Sequence, residues 1–242
     1  MKTPGLVAHR GYASHFPENS IVGIGAAIEA GARAVEFDVQ FSADRVAVLF
    51  HDRDMMRVCG IAGAIHEHEL SQLRKIPASE PERLGDSFTH TRIATLEDTI
   101  DMLMHHPGVT LFVEVKRVAI EQFGIHDVLS GLSRELAPVR EHCVLISFDY
   151  AFMLAARRDG WAQVGVVLEH WRDRKSTIVR QIQPDFLFCN YKKLPRFFPV
   201  NKGNAKLVLY EIDDPRLAIK LVRRGADYIE TFSIGEMRKA LA

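Results

Sequence analysis

Short apolar runs alternate with amphipathic stretches along most of the chain. Leu6-Val7-Ala8-His9 reads as a buried strand. Pro17-Glu18-Asn19-Ser20 then opens a helix in which Ile21, Ile24, Ala27 and Ile28 keep helical spacing, and Gly31 ends it. Residues 34–41 are β-rich and apolar apart from Glu36, Asp38 and Gln40, which strand alternation places on one face. A turn at 42–45 leads to a second extended run, 46–51, expected to pair back on the first. Beyond it, Thr95 caps a helix with Ile100, Leu103 and Met104 on its buried face. Strands follow at 110–116, 144–148, 164–168, 186–189, 206–212 and 228–232. Helices are predicted at 120–136, 150–158, 176–182, 215–224 and 234–241, with a short segment at 194–198. Eight such strand–helix units predict a (β/α)8 barrel of the TIM type, with residues 1–242 forming one domain.

Residues 53–92 break the rhythm, with glycines, prolines, histidines and charges dominating. Only Glu69-Leu70-Ser71-Gln72-Leu73 looks helical. The stretch is too long for an ordinary strand-to-helix connection. It reads as a small insertion after the second strand, a lid or binding element rather than a mobile segment.

Composition narrows the classes. The chain has 242 residues, 47% hydrophobic and 26% charged, which is ordinary for a globular protein. Net charge is +0, so no overall field draws it to nucleic acid or an anionic membrane. Three scattered cysteines, Cys59, Cys143 and Cys189, form neither a disulfide framework nor a zinc-ligand spacing. The start lacks the apolar core of a secretion signal, and no apolar run reaches eighteen residues, so a cytoplasmic protein without a membrane span is expected. Nothing in the pattern specifies an oligomeric state. Gly-rich phosphate loops, a Gly-x-Ser-x-Gly elbow and a basic–aromatic stripe are all missing from the sequence.

The chemistry-bearing residues lie at strand ends. Glu36 and Asp38 share one face of an apolar strand, roughly 6–7 Å apart along the backbone. Burying both as anions costs several kcal/mol each unless a shared divalent cation, or lysine and arginine partners, compensates them. Glu114 adds a third carboxylate on the next strand, with Lys116 two positions on. Late-strand positions of a barrel converge on one mouth, so Glu36, Asp38 and Glu114 form a candidate hard-oxygen site for one Mg2+ or Ca2+. Arg10 and Lys116 could clamp a phosphate, although Lys116 could equally be a simple partner of Glu114. His9 and His51 end the first strand and the run after the second, and are candidates for an acid–base pair. In His66-Glu67-His68-Glu69, helical spacing would set the two histidines about 200° apart, which points to a solvated face.

These residues resemble the glycerophosphodiester phosphodiesterase family of the bacterial cytoplasmic type. The family's motifs are matched by Ala8-His9-Arg10-Gly11, Pro17-Glu18-Asn19-Ser20, Glu36-Phe37-Asp38-Val39, His51-Asp52, Ala94-Thr95-Leu96-Glu97-Asp98, Glu114-Val115-Lys116 and Ser147-Phe148-Asp149. The resemblance implies a TIM-type barrel with an insertion after the second strand. It implies cation ligation by Glu36, Asp38 and Glu114, acid–base catalysis by His9 and His51, and phosphodiester contacts from Arg10 and Lys116. Glu18 and Asn19 are expected to orient these groups rather than react. The implied reaction releases glycerol 3-phosphate and an alcohol from a small glycerophosphodiester. Departures fall late in the chain, at Tyr210-Glu211-Ile212-Asp213 and Thr231-Phe232-Ser233-Ile234. Tyr210 keeps an aromatic wall while Glu211 adds charge. The alternative substrate is therefore a lipid or sugar ester, as for a lysophospholipase D. A barrel that binds phosphodiesters without cleaving them is the remaining alternative.

Overall fold

The computed structural model describes residues 4–195 and 200–242. Eight parallel strands close on themselves: β1 (Gly5–His9), β2 (Ala34–Phe41), β4 (Thr110–Val115), β5 (Cys143–Ser147), β6 (Val164–Leu168), β7 (Phe186–Asn190), β8 (Lys206–Tyr210) and β9 (Tyr228–Thr231). β1 pairs with both β2 and β9, which completes the ring. β3 (Ala47–Leu49) runs antiparallel to the end of β2, Val39 facing Leu49, so the run after the second strand does fold back. The chain is a (β/α)8 barrel.

Strand alternation divides the apolar residues into two layers. Val7, Phe112, Ile146, Val167, Phe186, Phe188 and Val208 pack together inside the barrel. The Phe112 ring centroid lies 5.0 Å from that of Phe186 and 5.2 Å from that of Phe188, which closes the interior with interlocking aromatic edges. The intervening residues, among them Val35, Phe37, Val113, Leu145, Val166, Leu187 and Leu209, belong to the outer layer beneath the helices. The helices are α1 (Ile21–Glu29), α5 (Leu96–Leu103), α6 (Arg117–Phe123), α7 (Ile125–Glu135), α8 (Tyr150–Arg158), α9 (Thr177–Ile182), α10 (Pro215–Arg223) and α11 (Ile234–Leu241). Ser20 caps α1 through the Gly23 amide, and Thr95 caps α5 through the Asp98 amide.

Two expectations change. The single helix predicted over 120–136 is two, α6 and α7. Gly124 stands between them at φ 80°, a conformation open to glycine that ends one helix and starts the other. The stretch 53–92 is also more ordered than its composition suggests. It holds α2 (Met56–Cys59), α3 (Leu70–Leu73) and α4 (Pro81–Leu84). Met55, Val58, Ile65, Leu73 and Ala78 build a small core with Val48, Phe50 and Ile93. Part of the segment expected at 194–198 lies outside the described residues.

Candidate active site

The register of the sheet assembles the site. In the Cα pairing, His9 lies opposite Glu36, and Asp38 lies opposite Glu114. All four therefore reach the same barrel mouth, above the apolar interior. There a cavity of about 220 Å³ is lined by His9, Arg10, Glu36, His51, Glu114 and Lys116, with Tyr210, Glu211 and Glu230 on its far wall. A wider hollow of about 770 Å³ opens at the opposite end of the barrel, around Asp185 and Lys206, and has no histidine among its lining residues.

The loop after β1 is held in an unusual conformation. Arg10 adopts φ 56° and Asn19 φ 53°, both left-handed, and Gly11 between them adopts φ 83°. A Cβ on Gly11 would lie 2.7 Å from the Gly23 backbone, so the chain passes there only without a side chain. Left-handed non-glycine residues cost energy and are held by their surroundings. Here the Arg10 amide donates to Glu36 Oε2 at 3.1 Å and the Asn19 amide donates to the Arg10 carbonyl. Asn19 also holds Asp38 at two points. Its Nδ2 donates to Asp38 Oδ2 and its Oδ1 accepts the Asp38 amide, both at 2.9 Å.

Glu36, Asp38 and Glu114 each present an oxygen within 4.8 Å of the others. Glu36 and Asp38 are almost completely buried. Burial first, then the neighbouring Asp38, Glu230 and Glu114 carboxylates, pushes the Glu36 carboxyl well above its usual range. Asp38 goes the other way. Burial raises it, but Lys116 at 3.2 Å and the Arg10 guanidinium at 3.2 Å outweigh that and hold it well below the carboxylate range. Lys116 also lies 2.7 Å from Glu114, so the predicted phosphate clamp is an ion-pair partner of two of the predicted ligands. Glu36 Oε1 is buried with no hydrogen-bond partner among the described residues. A trio of hard oxygen donors with one orphaned buried oxygen fits a divalent cation.

The two histidines differ in setting. His9 is buried, its ring stacked on Phe232 at 4.5 Å between centroids, with Nε2 3.8 Å from Glu36 Oε2. Burial first, then the Arg10 charge, pulls its pKa well below the ordinary value, so the ring is neutral at pH 7. His51 is half-buried, and its Nδ1 is bound to Asp52 Oδ1 at 2.6 Å. That bond settles which nitrogen faces the carboxylate and turns the other edge of the ring away from it.

Several contributors escaped the sequence reading. Glu230, on the inward face of β9, is buried, and it forms a second acid–histidine group with His9 and Glu36. Burial first, then Glu114, pushes its carboxyl well above the usual range. An acid two positions after the inward Tyr228, and so on the same face of the strand, was the available signal. Glu80 and Arg57 come from the insertion and reach Glu18, a long-range contact that local spacing does not reveal. Ser147 and Asp149, matched to a family motif, have local work. Ser147 donates to the Val115 carbonyl, and Asp149 caps α8.

Residues 9–129 match the model of the glycerophosphoryl diester phosphodiesterase family. YhdW of Bacillus subtilis is 32% identical over 233 residues, covering 93% of each protein. The chain belongs to this family. Glycerophosphodiester phosphodiesterase 1 of Bos taurus is 30% identical over 142 residues, which is 59% of this chain and 42% of that longer protein, so the chain spans less than half of that relative. Among solved structures, an Oleispira antarctica phosphodiesterase in complex with the product sn-glycerol-3-phosphate has a TM-score of 0.83 at 22% identity. That match covers 99% of this chain and 97% of the other, and it shows the shared fold.

Proposed function

We propose that this protein hydrolyses glycerophosphodiesters to glycerol 3-phosphate and an alcohol at the barrel mouth. The observation that carries the reading is the meeting of two imidazoles, two side-chain cations and the Glu36 and Glu114 carboxylates around one small cavity, with an Asp38 oxygen within 4.8 Å of both acids. Family membership and the glycerol phosphate bound in the Oleispira antarctica structure support it. Glu36, Asp38 and Glu114 hold one divalent cation, Mg2+ or Ca2+. When bound, the cation offsets negative charge developing on the phosphoryl oxygens.

Arg10 and Lys116 add fixed positive charge toward the phosphodiester. Glu18 and Asp38 brace the first, and Asp38 and Glu114 the second, so little reorganisation is needed when substrate binds. His9, neutral in its buried setting, takes the proton from the attacking oxygen. His51, backed by the Asp52 carboxylate, carries a proton to the leaving alkoxide. The attacking oxygen belongs to water, or to the glycerol hydroxyl beside the ester; the second route gives a cyclic phosphate that water then opens. Asn19 keeps Asp38 in place, and Tyr210, with Phe148, walls the side toward the alcohol. The reaction belongs in the cytoplasm on this reading, which the three free cysteines support. No described helix is long and apolar enough to cross a membrane.

A lysophospholipid is the second substrate reading. The insertion exposes Met56 and Ile61, and Met56 adjoins Arg57, which reaches Glu18. One assay tests both readings: turnover of glycerophosphocholine and of lysophosphatidylcholine, with Mg2+ or Ca2+ and after thorough chelation. The expected result is faster cleavage of glycerophosphocholine, abolished by chelation and restored by adding the cation back. Turnover that survives metal removal would eliminate the cation's role. Preference for the lysolipid would move the substrate assignment to the second reading.

A further inference from the structure

The insertion contributes one residue that touches both halves of the site without reaching the cavity. Arg57, on α2, uses its whole guanidinium. Nε donates to Asp52 Oδ2 at 2.7 Å and Nη2 to Asp52 Oδ1 at 3.0 Å. Nη2 also donates to Glu18 Oε1 at 2.6 Å, and Nη1 to Glu18 Oε2 at 2.9 Å. Glu80, from the same insertion, lies 3.6 Å from Nη1. Each main carboxylate has a second partner in the site. Asp52 holds the His51 imidazole at 2.6 Å. Glu18 holds Arg10 Nη1 at 3.2 and 3.3 Å, and Arg10 Nε lies 3.2 Å from Asp38 Oδ2.

We propose that Arg57 is a positioning residue which locks His51, through Asp52, to Arg10, through Glu18. The inference rests on the phosphodiesterase reading above for the roles of those two end groups. The linkage His51–Asp52–Arg57–Glu18–Arg10–Asp38 is then a continuous run of charge-assisted contacts from the proton donor to the cation ligands. The chemistry requires an arginine. Two carboxylates are each gripped by two N–H groups of one planar fork, which a lysine point charge cannot reproduce. Without the fork, Asp52, a quarter exposed, is free to turn into water and release His51. Glu18, only 8% exposed, would keep Arg10 as its remaining site partner and draw it from Asp38.

A neighbouring arginine separates this role from plain bracing. Arg83 pairs with Glu80 at 2.7 Å and donates to the Phe16 carbonyl at 2.8 Å and to the Ala13 carbonyl. It fastens the insertion to the loop after β1 without contacting Asp52 or Glu18. Loss of Arg83 is therefore expected to lower stability without altering His51.

The test compares Arg57→Gln, Arg57→Lys, Asp52→Asn, the Arg57→Gln/Asp52→Asn double variant and Arg83→Gln. Each is read by steady-state kinetics on glycerophosphocholine and by NMR titration of the His51 ring, assigned by difference with His51→Ala. Arg57→Gln is expected to lose about 10–100-fold in kcat/KM, the usual cost of removing a group that orients a reacting residue. Its His51 titration is expected to move to lower pH, because Asp52, no longer held by the fork, turns away and the imidazolium loses its carboxylate partner. Arg57→Lys restores part of the rate. The double variant loses no more than the worse single variant, and Arg83→Gln keeps the wild-type titration. Wild-type kinetics and an unmoved His51 in Arg57→Gln would overturn the proposal, as would fully additive losses in the double variant. If Arg57→Gln does not fold, the Arg57→Lys and Asp52→Asn titrations decide by the same criterion. If the wild type cleaves no phosphodiester, the activity reading fails, and the NMR titration alone decides whether Arg57 positions His51.

Discussion

Asn19 shows how much of this site depends on single side chains that do not react. Its left-handed backbone and its two hydrogen bonds to Asp38 fix a buried carboxylate in one orientation. Asn19→Ala deletes both bonds and strands the Asp38 amide, so a loss of about 2–4 kcal/mol is expected in a denaturant titration. Unchanged stability would mean that Asp38 finds other partners. Glu36, Asp38 and Glu114 were legible in the sequence because strand alternation singles out acids within apolar runs. His9, Arg10 and His51 were legible from their places at strand ends. Glu230 obeys the same alternation yet stood outside any motif, and Arg57 was illegible because its partners lie 5 and 39 positions away.

At the level of elements, periodicity located the barrel strands well and their ends less well. β8 stops at Tyr210 and β9 at Thr231, because the chain turns there to present Glu211 and Phe232 to the mouth. Asp213 anchors that turn by accepting from the Thr231 hydroxyl at 2.6 Å and the Phe232 amide at 3.0 Å, and so holds Phe232 against His9. Within the insertion, α2 and α4 escaped the sequence because they are about one turn long, too short to show a period, and its core borrows Val48, Phe50 and Ile93 from outside it. The end of α7 offers a pH test away from the site. Burial pushes the Glu135 carboxyl up to about 7, with Arg134 opposing and Glu97 reinforcing. The folded protein thus keeps a proton that the unfolded chain releases above about pH 4.3. The stability from this group is fully present below that pH and is lost as pH rises through 7. Glu135→Gln should match the wild-type Tm near pH 4 and exceed it at pH 8. A lower Tm for the variant at pH 8 would contradict the shift.

On the scale of the whole molecule, the closed barrel explains why separate stretches of sequence form one site. Its interlocked aromatic interior supports a polar mouth, and parallel register brings β1, β2, β4 and β9 to that mouth together. The fold class was legible because the strand–helix alternation runs nearly the full chain. What joins the insertion to the barrel was not, since ion pairs between distant residues leave no local pattern. The central claim is that His9 and His51 move the protons of phosphodiester cleavage while the acids hold the cation. It is tested most directly by measuring glycerophosphocholine turnover and calorimetric cation binding together for wild type, His9→Ala and His51→Ala. Both variants are expected to bind one cation and to lose about 10²–10⁴-fold in kcat. A variant that binds the cation and still turns over at the wild-type rate would contradict the acid–base assignment.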